Sequence, residues 1–282
     1  MSEPNFKIGF MQGRLSPLVN GKIQAFPSET WEDEFSIAIK NNFNLMEWTL
    51  DQNKIYENPL MTENGRFKIN NLCRSYNFFI PSLTADCFMQ APLWKCKKNE
   101  LKFLEKVFFD VVNSCSAIKI EMIIIPLVDN GALENVKQEN NLCAFLNSNQ
   151  NFFFERKIKI LFESDYSPIK LARFINRFEP SIFGINYDIG NSAALGFSCE
   201  DEFNSYASRM LNVHVKDRLF GGTTVPLGKG SASLEKVFQL LSIFRYQGNY
   251  ILQTARAEDN NHSFALSFFR DMTREWIKKY AY

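Results

Sequence analysis

The sequence is poor in histidine, in paired cysteines and in charge of one sign, and each shortage excludes a kind of protein. Its 282 residues include 2 histidines, too few for a site that uses several imidazole groups. The 6 cysteines form no Cys-x-x-Cys pair and no zinc-ribbon spacing, so reduced thiols are expected rather than disulfides or a zinc ribbon. With 32 basic and 31 acidic residues the net charge is +1, which argues against a dominant nucleic-acid footprint.

Long apolar runs are missing as well. The run 122–128 is among the longest and is too short to span a bilayer. The first residues show no basic segment followed by an apolar one, because residues 6–10 already have the pattern of a strand. We therefore expect a soluble, cytoplasmic protein without a membrane partner.

Apolar side chains in alternating patterns are abundant. Hydrophobic residues make up 45% of the chain and Phe alone contributes 28, enough to fill a sizeable core. Short apolar or β-branched runs alternate with segments of helical spacing, and these runs predict eight strands. The predicted strands cover residues 6–12, 45–50, 78–84, 118–125, 158–163, 183–188, 211–216 and 250–254.

Eight strand–helix alternations predict an α/β fold, a single (β/α)8 TIM barrel that forms one domain over residues 1–282. Helix starts support the pattern. Thr30 and Asp33 have the spacing of a capping box, and the Ser-Pro pair at 167–168 supplies a cap and a first-turn proline. A doubly wound open sheet is the alternative, but it would normally have a Gly-rich turn after its first strand, and this chain lacks one.

Polar residues end the last four predicted strands. Side chains alternate between the two faces of a strand, so an apolar residue that faces the helices is followed by one that faces the barrel interior. At the C-terminal strand ends, where active sites of this fold lie, the inward residues are Glu163, Asp188, His214 and Gln253. Two carboxylates, an imidazole and an amide oxygen can coordinate a divalent ion such as Mg²⁺, Mn²⁺, Co²⁺ or Zn²⁺.

The alternative for these four residues is a buried polar network in which a carboxylate pairs with Lys216. Taken singly, each residue is more often structural than a ligand. Their shared position at four successive strand ends favours a metal site. The second histidine, His262, lies at a predicted helix start and is interpreted as structural.

Several short motifs, in this order and at this spacing, resemble the xylose-isomerase-like sugar phosphate isomerase/epimerase family. The resemblance runs from the first strand to the eighth, over essentially the whole chain. The motifs are Ile-Gly-Phe-Met-Gln-Gly-Arg-Leu-Ser-Pro at 8–17, Ile-Gln-Ala-Phe-Pro at 23–27, Met-Glu-Trp-Thr at 46–49, Phe-Glu-Ser at 162–164, Asp-Ile-Gly-Asn at 188–191, His-Val-Lys-Asp-Arg at 214–218 and Leu-Gly-Lys-Gly at 227–230.

The resemblance implies a barrel with a metal held by Glu, Asp, His and Glu from strands five to eight. Carried over residue by residue, it supports Glu163, Asp188 and His214 as ligands, whereas the fourth position holds Gln253. In the family resembled, the strand-five and strand-eight glutamates also exchange the substrate proton. An amide cannot do this, although its oxygen can still bind a metal weakly. Glu163 is therefore expected to be both ligand and general base.

A second base, if the reaction needs one, has to come from another carboxylate. Candidates for this catalytic role are Glu47, Asp86, Asp217 and Glu258, and otherwise a single base handles both steps. Glu47 is the strongest candidate because it points inward beside Trp48, which packs against the helices. Asp217 and Glu258 are alternatively expected to pair with neighbouring arginines.

Basic residues cluster at or after the strand ends and predict the substrate contacts. Arginine suits bidentate recognition of phosphate or carboxylate, and the Gly-Lys-Gly-Ser loop at 228–231 precedes a helix whose free N–H groups could hold an anion. That loop is equally expected to be a plain turn. Trp94 could cover the apolar face of a sugar, or form a lid or dimer contact. The predicted substrate-binding residues are Arg14, Lys216, Arg218 and Arg256.

These observations predict a metal-dependent isomerase or epimerase that moves a proton next to the carbonyl of a sugar or sugar phosphate. One alternative is a metal-dependent lyase or hydrolase on the same barrel, since a fold does not fix a reaction. Another is a degenerate barrel that binds a sugar without turnover, which the amide of Gln253 favours. A DNA-repair endonuclease is disfavoured by the scarce histidines. A homodimer is possible, because dimers are common in the family resembled.

Overall fold

Eight parallel strands form a closed barrel at the centre of the computed structural model, which describes residues 7–280. Around the barrel the strands follow the order β1, β2, β3, β4, β5, β6, β7, β10, and β10 pairs again with β1. The strands are β1 (Ile8–Met11), β2 (Leu45–Thr49), β3 (Phe79–Thr84), β4 (Met122–Leu127), β5 (Lys159–Ser164), β6 (Phe183–Asp188), β7 (Met210–Val215) and β10 (Asn249–Leu252). The predicted TIM-barrel fold is confirmed.

Two short strands lie outside the barrel, after β7. β8 (Asp217–Arg218) and β9 (Thr224–Val225) pair antiparallel as a hairpin. The helices are α1 (Asp33–Lys40), α2 (Glu63–Tyr76), α3 (Asp86–Gln90), α4 (Lys98–Ala117), α5 (Val136–Ser148), α6 (Gln150–Glu155), α7 (Pro168–Ile175), α8 (Ile189–Leu195), α9 (Cys199–Tyr206), α10 (Leu234–Ile243) and α11 (His262–Tyr280). None of these helices is both long and apolar enough to cross a membrane.

Three details of the sequence prediction were wrong. Ser167 and Pro168 stand at the start of α7 as predicted, but the Ser167 side chain forms no cap hydrogen bond. The fourth strand covers Met122–Leu127 rather than 118–125, because α4 is closed by a turn in which Lys119 has a φ of 65°. The capping box at Thr30 is not formed. The Thr30 hydroxyl donates to Ser16 Oγ at 3.0 Å, and α1 begins at Asp33 without a side-chain cap. The start of the first predicted strand, Phe6, lies outside the described residues.

Phenylalanines fill the layer between strands and helices. Phe162 of β5 and Phe183 of β6 are fully buried and pack against Phe174 and Phe178. Each large apolar side chain buried in this way contributes roughly 1.5–3 kcal/mol. Because Phe162 is held in the helix layer, the next residue, Glu163, has to face the barrel interior. All eight barrel strands share this arrangement of layers, and we propose on this basis that the chain is one domain.

A buried carboxylate, Glu34 of α1, holds the loop that follows β1. Its Oε1 accepts hydrogen bonds from the backbone N–H groups of Gly13 (2.9 Å) and Leu15 (3.0 Å). Gly13 has a φ of 89°, a conformation that side chains disfavour. Burial raises the pKa of Glu34 to about 7, although the hydrogen bonds from Gly13 and Leu15 lower it in part.

This raised pKa predicts that Glu34 makes the protein less stable as the pH rises from about 4.5 to about 7. In that window the folded protein keeps a proton that the unfolded chain releases, so the free energy of unfolding falls by roughly 3 kcal/mol. Urea unfolding at pH 5 and pH 7.5 should show a smaller decrease for Glu34→Gln than for the wild type. Equal decreases would contradict the buried, proton-holding environment of Glu34.

Candidate active site

Three of the predicted ligands meet at the C-terminal end of the barrel. Glu163 is the second-last residue of β5, Asp188 ends β6 and His214 is the second-last residue of β7, and all three are buried. His214 Nδ1 is 3.1 Å from Glu163 Oε2 and 3.9 Å from Asp188 Oδ2. The three possible donor atoms all lie within 4.8 Å of one another.

The chemistry of this donor set fits a divalent metal ion. Protein ligands bind such ions at about 2.0–2.2 Å, which places neighbouring donors about 3–4 Å apart. The separations from Nδ1 fall in that range. Two carboxylates also balance a charge of +2, and a metal ion bound at Nδ1 would replace the proton that the raised pKa of His214 indicates there. Glu163, Asp188 and His214 could therefore hold a divalent metal, whose identity these residue types do not determine.

Glu47 of β2 lies beneath this site and holds the far side of His214. Its side chain is fully buried, and its Oε1 accepts from His214 Nε2 at 2.7 Å. Thr84 Oγ1 also donates to Oε1 at 2.6 Å, while Ser82 Oγ (2.6 Å) and Asn212 Nδ2 (2.9 Å) donate to Oε2. Both oxygens of Glu47 are therefore fully used inside the barrel.

The pair formed by Glu47 and His214 fixes which imidazole nitrogen faces the site. Burial would raise the pKa of Glu47, but the charge of His214 and its hydrogen bonds lower it below the usual range. Burial would lower the pKa of His214, but the charge and hydrogen bond of Glu47 and the nearby carboxylates of Asp188 and Glu163 raise it well above the usual range. Nε2 carries a proton toward Glu47, so Nδ1 is the nitrogen presented to the two ligand carboxylates.

Two asparagines orient Glu163. Asn186 Nδ2 donates to Oε2 at 2.9 Å and Asn191 Nδ2 donates to Oε1 at 2.6 Å. The backbone N–H of Asn191 also donates to Asp188 Oδ1 at 2.8 Å. Sequence analysis missed Asn186 as well as Ser82, Thr84 and Asn212. The sequence does contain a signal for them. All four are polar residues within apolar strands, and each occupies a position whose side chain faces the barrel interior because its neighbours in the strand face the helices.

Lys216 lies among the predicted ligands, and its ammonium contacts two of them. Nζ donates to Asp188 Oδ2 (3.1 Å), to Gln253 Oε1 (3.2 Å) and to Asn191 Oδ1 (3.1 Å). Burial would raise the pKa of Asp188, but the charge of Lys216 and contacts with His214 lower it well below the usual range. The ion pair considered as an alternative to metal binding is therefore present, and it uses the same oxygen of Asp188 that lies 3.9 Å from His214 Nδ1.

The three predicted arginines are mostly used to hold loops. Arg14 donates to the backbone oxygens of Thr254 (3.1 Å) and Ile23 (2.8 Å). Arg256 donates to the backbone oxygens of Gly13 and Ser16. Arg218 donates to Gly222 O at 2.7 Å and to Asn191 Oδ1 at 2.8 Å, so one of its nitrogens reaches the mouth of the barrel.

The loop 228–231 is already occupied by a carboxylate of the chain itself. Asp217 Oδ2 accepts from the N–H groups of Gly228 and Gly230, both at 2.9 Å, and Oδ1 accepts from Ala232 N at 3.1 Å. A Cβ at Gly230 would lie 2.1 Å from Asp217 Oδ1, so glycine is required by this close approach. Asp217 thus takes N–H groups of the loop itself, which favours the alternative interpretation of the loop as a plain turn, whereas the N–H groups of α10 that the anion prediction used are not among its partners.

Asp217→Asn is accordingly expected to destabilise the protein by about 2–4 kcal/mol. The amide offers a donor where the backbone N–H groups need an acceptor, and an unpaired buried group costs about 1–3 kcal/mol. The free energy of unfolding in urea measures this loss. Asp259→Asn serves as the control, since Asp259 is exposed and accepts one bond from Asn261 N. Equal stabilities of the two variants would contradict the structural role of Asp217.

The remaining candidates divide between packing and the mouth of the barrel. Trp48 is buried against Trp31, as expected for a packing residue. Trp94 is 2% exposed and donates to Gly131 O at 3.1 Å, so its predicted place over a sugar was wrong. Glu258 is exposed beyond β10. Asp86 borders the mouth and accepts from Gln24 Nε2 at 2.8 Å.

Comparisons with known proteins come from structure alone, because no protein-family model and no curated protein matches the sequence. The chain is similar to a xylose isomerase domain protein from Planctomyces limnophilus, with 14% identity, a TM-score of 0.75 and 98% of each chain covered. It is also similar to a D-psicose 3-epimerase with D-tagatose from Clostridium cellulolyticum H10, with 9% identity, a TM-score of 0.76, and 96% of this chain and 99% of that chain covered.

A third similar structure is the IOLI protein with a binding zinc atom, with 12% identity, a TM-score of 0.76, and 98% of this chain and 99% of that chain covered. At such low identities the likeness establishes the fold, which is that of the xylose isomerase-like TIM barrels. Sugar isomerases and epimerases are among the structural neighbours.

Proposed function

We propose that the protein is a metal-dependent isomerase or epimerase that moves a proton next to the carbonyl of a sugar. The observation that carries the proposal is the meeting of Glu163, Asp188 and His214 at the C-terminal end of the barrel. The similarity of the fold to structures of sugar epimerases supports isomerisation or epimerisation as the class of reaction. A fold hosts many reactions, so the argument rests on these residues.

Each residue has a role that its contacts support. Asp188 and His214 would hold the ion, a divalent cation such as Mn²⁺, Mg²⁺, Co²⁺ or Zn²⁺, with Gln253 as a neutral fourth ligand. A bound divalent cation supplies polarisation of the substrate carbonyl and stabilises negative charge on its oxygen. Glu163 would also bind the ion and take the proton as general base, oriented by Asn186 and Asn191.

The contacts of Glu47 favour a positioning role over the predicted catalytic one. Glu47 is fully buried and already accepts four hydrogen bonds. A carboxylate that orients a ligand histidine through its second nitrogen is common around protein metals. We propose that Glu47 holds the ring of His214 so that Nδ1 points at the ion.

The substrate contacts favour a free sugar over a sugar phosphate. Arg14 and Arg256 hold backbone oxygens, and Asp217 fills the loop at 228–231. Lys216 and Arg218 both donate to Asn191 at the mouth and are the better candidates for contacts with substrate hydroxyls. A cytoplasmic location and a homodimer stay predictions from the sequence.

Proton exchange with solvent tests the proposed function. The protein, loaded in turn with Mn²⁺, Co²⁺, Mg²⁺ and Zn²⁺, is incubated in deuterated water with a panel of free ketoses, aldoses and their phosphates. Deuterium at the carbon next to the carbonyl, read by NMR and mass spectrometry, is the expected result. No deuterium in any substrate with any ion would contradict the proposal.

A second candidate function is sugar binding without turnover. It is favoured by the Lys216 ammonium, which already neutralises Asp188 and contacts Gln253 at the place of the fourth ligand. Calorimetry with Mn²⁺ on the wild type and on Gln253→Glu separates the two functions. If metal binding and proton exchange both arise only in the variant, the natural protein is a binding barrel.

A further inference from the structure

The carboxylate of Asp86 borders the mouth of the barrel, where Arg14 and His214 act on it electrostatically without forming an ion pair among the described residues. Asp86 begins α3, two residues beyond the end of β3 at Thr84. Its only side-chain hydrogen bond among residues 7–280 comes from Gln24 Nε2 at 2.8 Å, and no ion pair to it is formed there. The other acidic side chains at this end have firmer partners: Asp188 has Lys216, and Asp217 has three backbone N–H groups.

Gln24 bridges Asp86 to Gln253 with a single carboxamide. Its Oε1 accepts from Gln253 Nε2 at 2.8 Å and from Arg14 Nη2 at 3.4 Å, while its Nε2 donates to Asp86. Gln24 belongs to the loop between β1 and α1, which Arg14 holds through Ile23 O and Asp51 holds through Phe26 N. The carboxamide presents one acceptor and one donor between two strand ends. A sugar carbonyl and its neighbouring hydroxyl present the same pair of groups.

Inversion of a carbon centre needs a proton removed from one side and another delivered to the other side. Glu163 is placed on β5 for the first step, and Gln253 is an amide that cannot serve the second. We propose that Asp86 is the second acid–base residue of this site and reaches the substrate when the substrate displaces the side chain of Gln24. This inference rests on the proposed function.

The proposed steps balance without any further reactant. Glu163 takes the proton as the C–H bond breaks, and the electron pair of that bond moves toward the carbonyl oxygen to give an enediolate. The pair then returns to the carbon and forms a new C–H bond with the proton of the Asp86 carboxylic acid. Asp86 is left as a carboxylate and Glu163 as an acid, and exchange with solvent restores both. No oxidation or reduction occurs.

The surroundings of Asp86 suit both directions of proton transfer. Burial raises the pKa of Asp86 to about 7, with contributions from Asp51 and Glu163, whereas Gln24 and His214 lower it. A group whose pKa lies near the working pH is present in both its acidic and its basic form. The hydrogen-bonded geometry through Gln24, rather than this pKa, identifies the residue.

Asp86→Asn separates proton removal from inversion. The substrate is the one found in the deuterium panel. The variant is expected to exchange deuterium without inversion at a rate within about 10-fold of the wild type, whereas its rate of inversion falls by about 10²–10⁴-fold. Asp129→Asn, an exposed carboxylate just beyond β4, is the control and should change neither rate. Inversion by Asp86→Asn within 3-fold of the wild type, or equal loss of exchange and inversion, would overturn the assignment.

Gln24→Ala tests the displacement even if Asp86→Asn does not fold. In the variant the substrate no longer has to break the three hydrogen bonds of the Gln24 side chain, so KM is expected to fall by about 3–10-fold with kcat nearly unchanged. An unchanged or raised KM would overturn the displacement of Gln24. Failure of the proposed function itself is distinguishable, because the wild type would then exchange no deuterium at all, and the inference would fall with it.

Discussion

Glu163→Gln is expected to lower the rate of deuterium exchange by about 10²–10⁴-fold, the typical contribution of a general base. Glu163 has no contact with Lys216, which pairs with Asp188; it receives amide N–H groups from Asn186 and Asn191 and lies 3.1 Å from His214 Nδ1, the nitrogen that a bound metal ion would take. Its charge is therefore available for a substrate proton. The amide of glutamine keeps the volume but cannot accept that proton.

The fold should survive this substitution. Glu163 lies at the rim with 6% of its surface exposed, and the new amide keeps one oxygen for the neighbouring asparagines. Exchange is followed by NMR, metal binding by calorimetry and stability by urea unfolding. Glu155→Gln, at an exposed position of α6, is the matched control. Exchange at the wild-type rate in Glu163→Gln would contradict the role of Glu163 as base.

Glu47→Gln is expected to destabilise the metal-free protein by about 2–4 kcal/mol and to weaken metal binding by about 10–100-fold. Four groups donate to the two oxygens of Glu47, and one of them is the imidazole of a ligand. An amide replaces one acceptor with a donor, so two donors face each other in a site without water. The ring of His214 then loses the partner that fixes its orientation.

The measurements are urea unfolding with a chelator and calorimetry with Mn²⁺ and Zn²⁺. Glu57→Gln is the control, because Glu57 is exposed and pairs only with Lys54. Metal affinity at the wild-type level in Glu47→Gln would refute the positioning role. A loss of kcat with unchanged metal affinity would instead favour the catalytic role that the sequence pattern suggested for Glu47.

Most of the barrel and the inward direction of the three candidate ligands followed from the sequence because they depend on local periodicity. Alternation within a strand determines that Phe162 packs outward and that Glu163 faces inward, whatever the rest of the chain does. The same rule identified Asp188 and His214, and the order of the strands placed all three at one end of the barrel. The boundary of β4 was less predictable, since Ile118 and Ile120 resemble strand residues although they close α4.

What only the tertiary structure decided is which polar groups are already in use. The direction of a side chain is local, but its partner can come from anywhere: Glu47 bonds His214, 167 residues away, and Arg14 bonds Thr254, 240 residues away. The sequence could not show that Asp217 would fill the loop at 228–231, or that Gln24 would join Gln253 to Asp86. A buried polar group has to be paired, and folding alone determines with what.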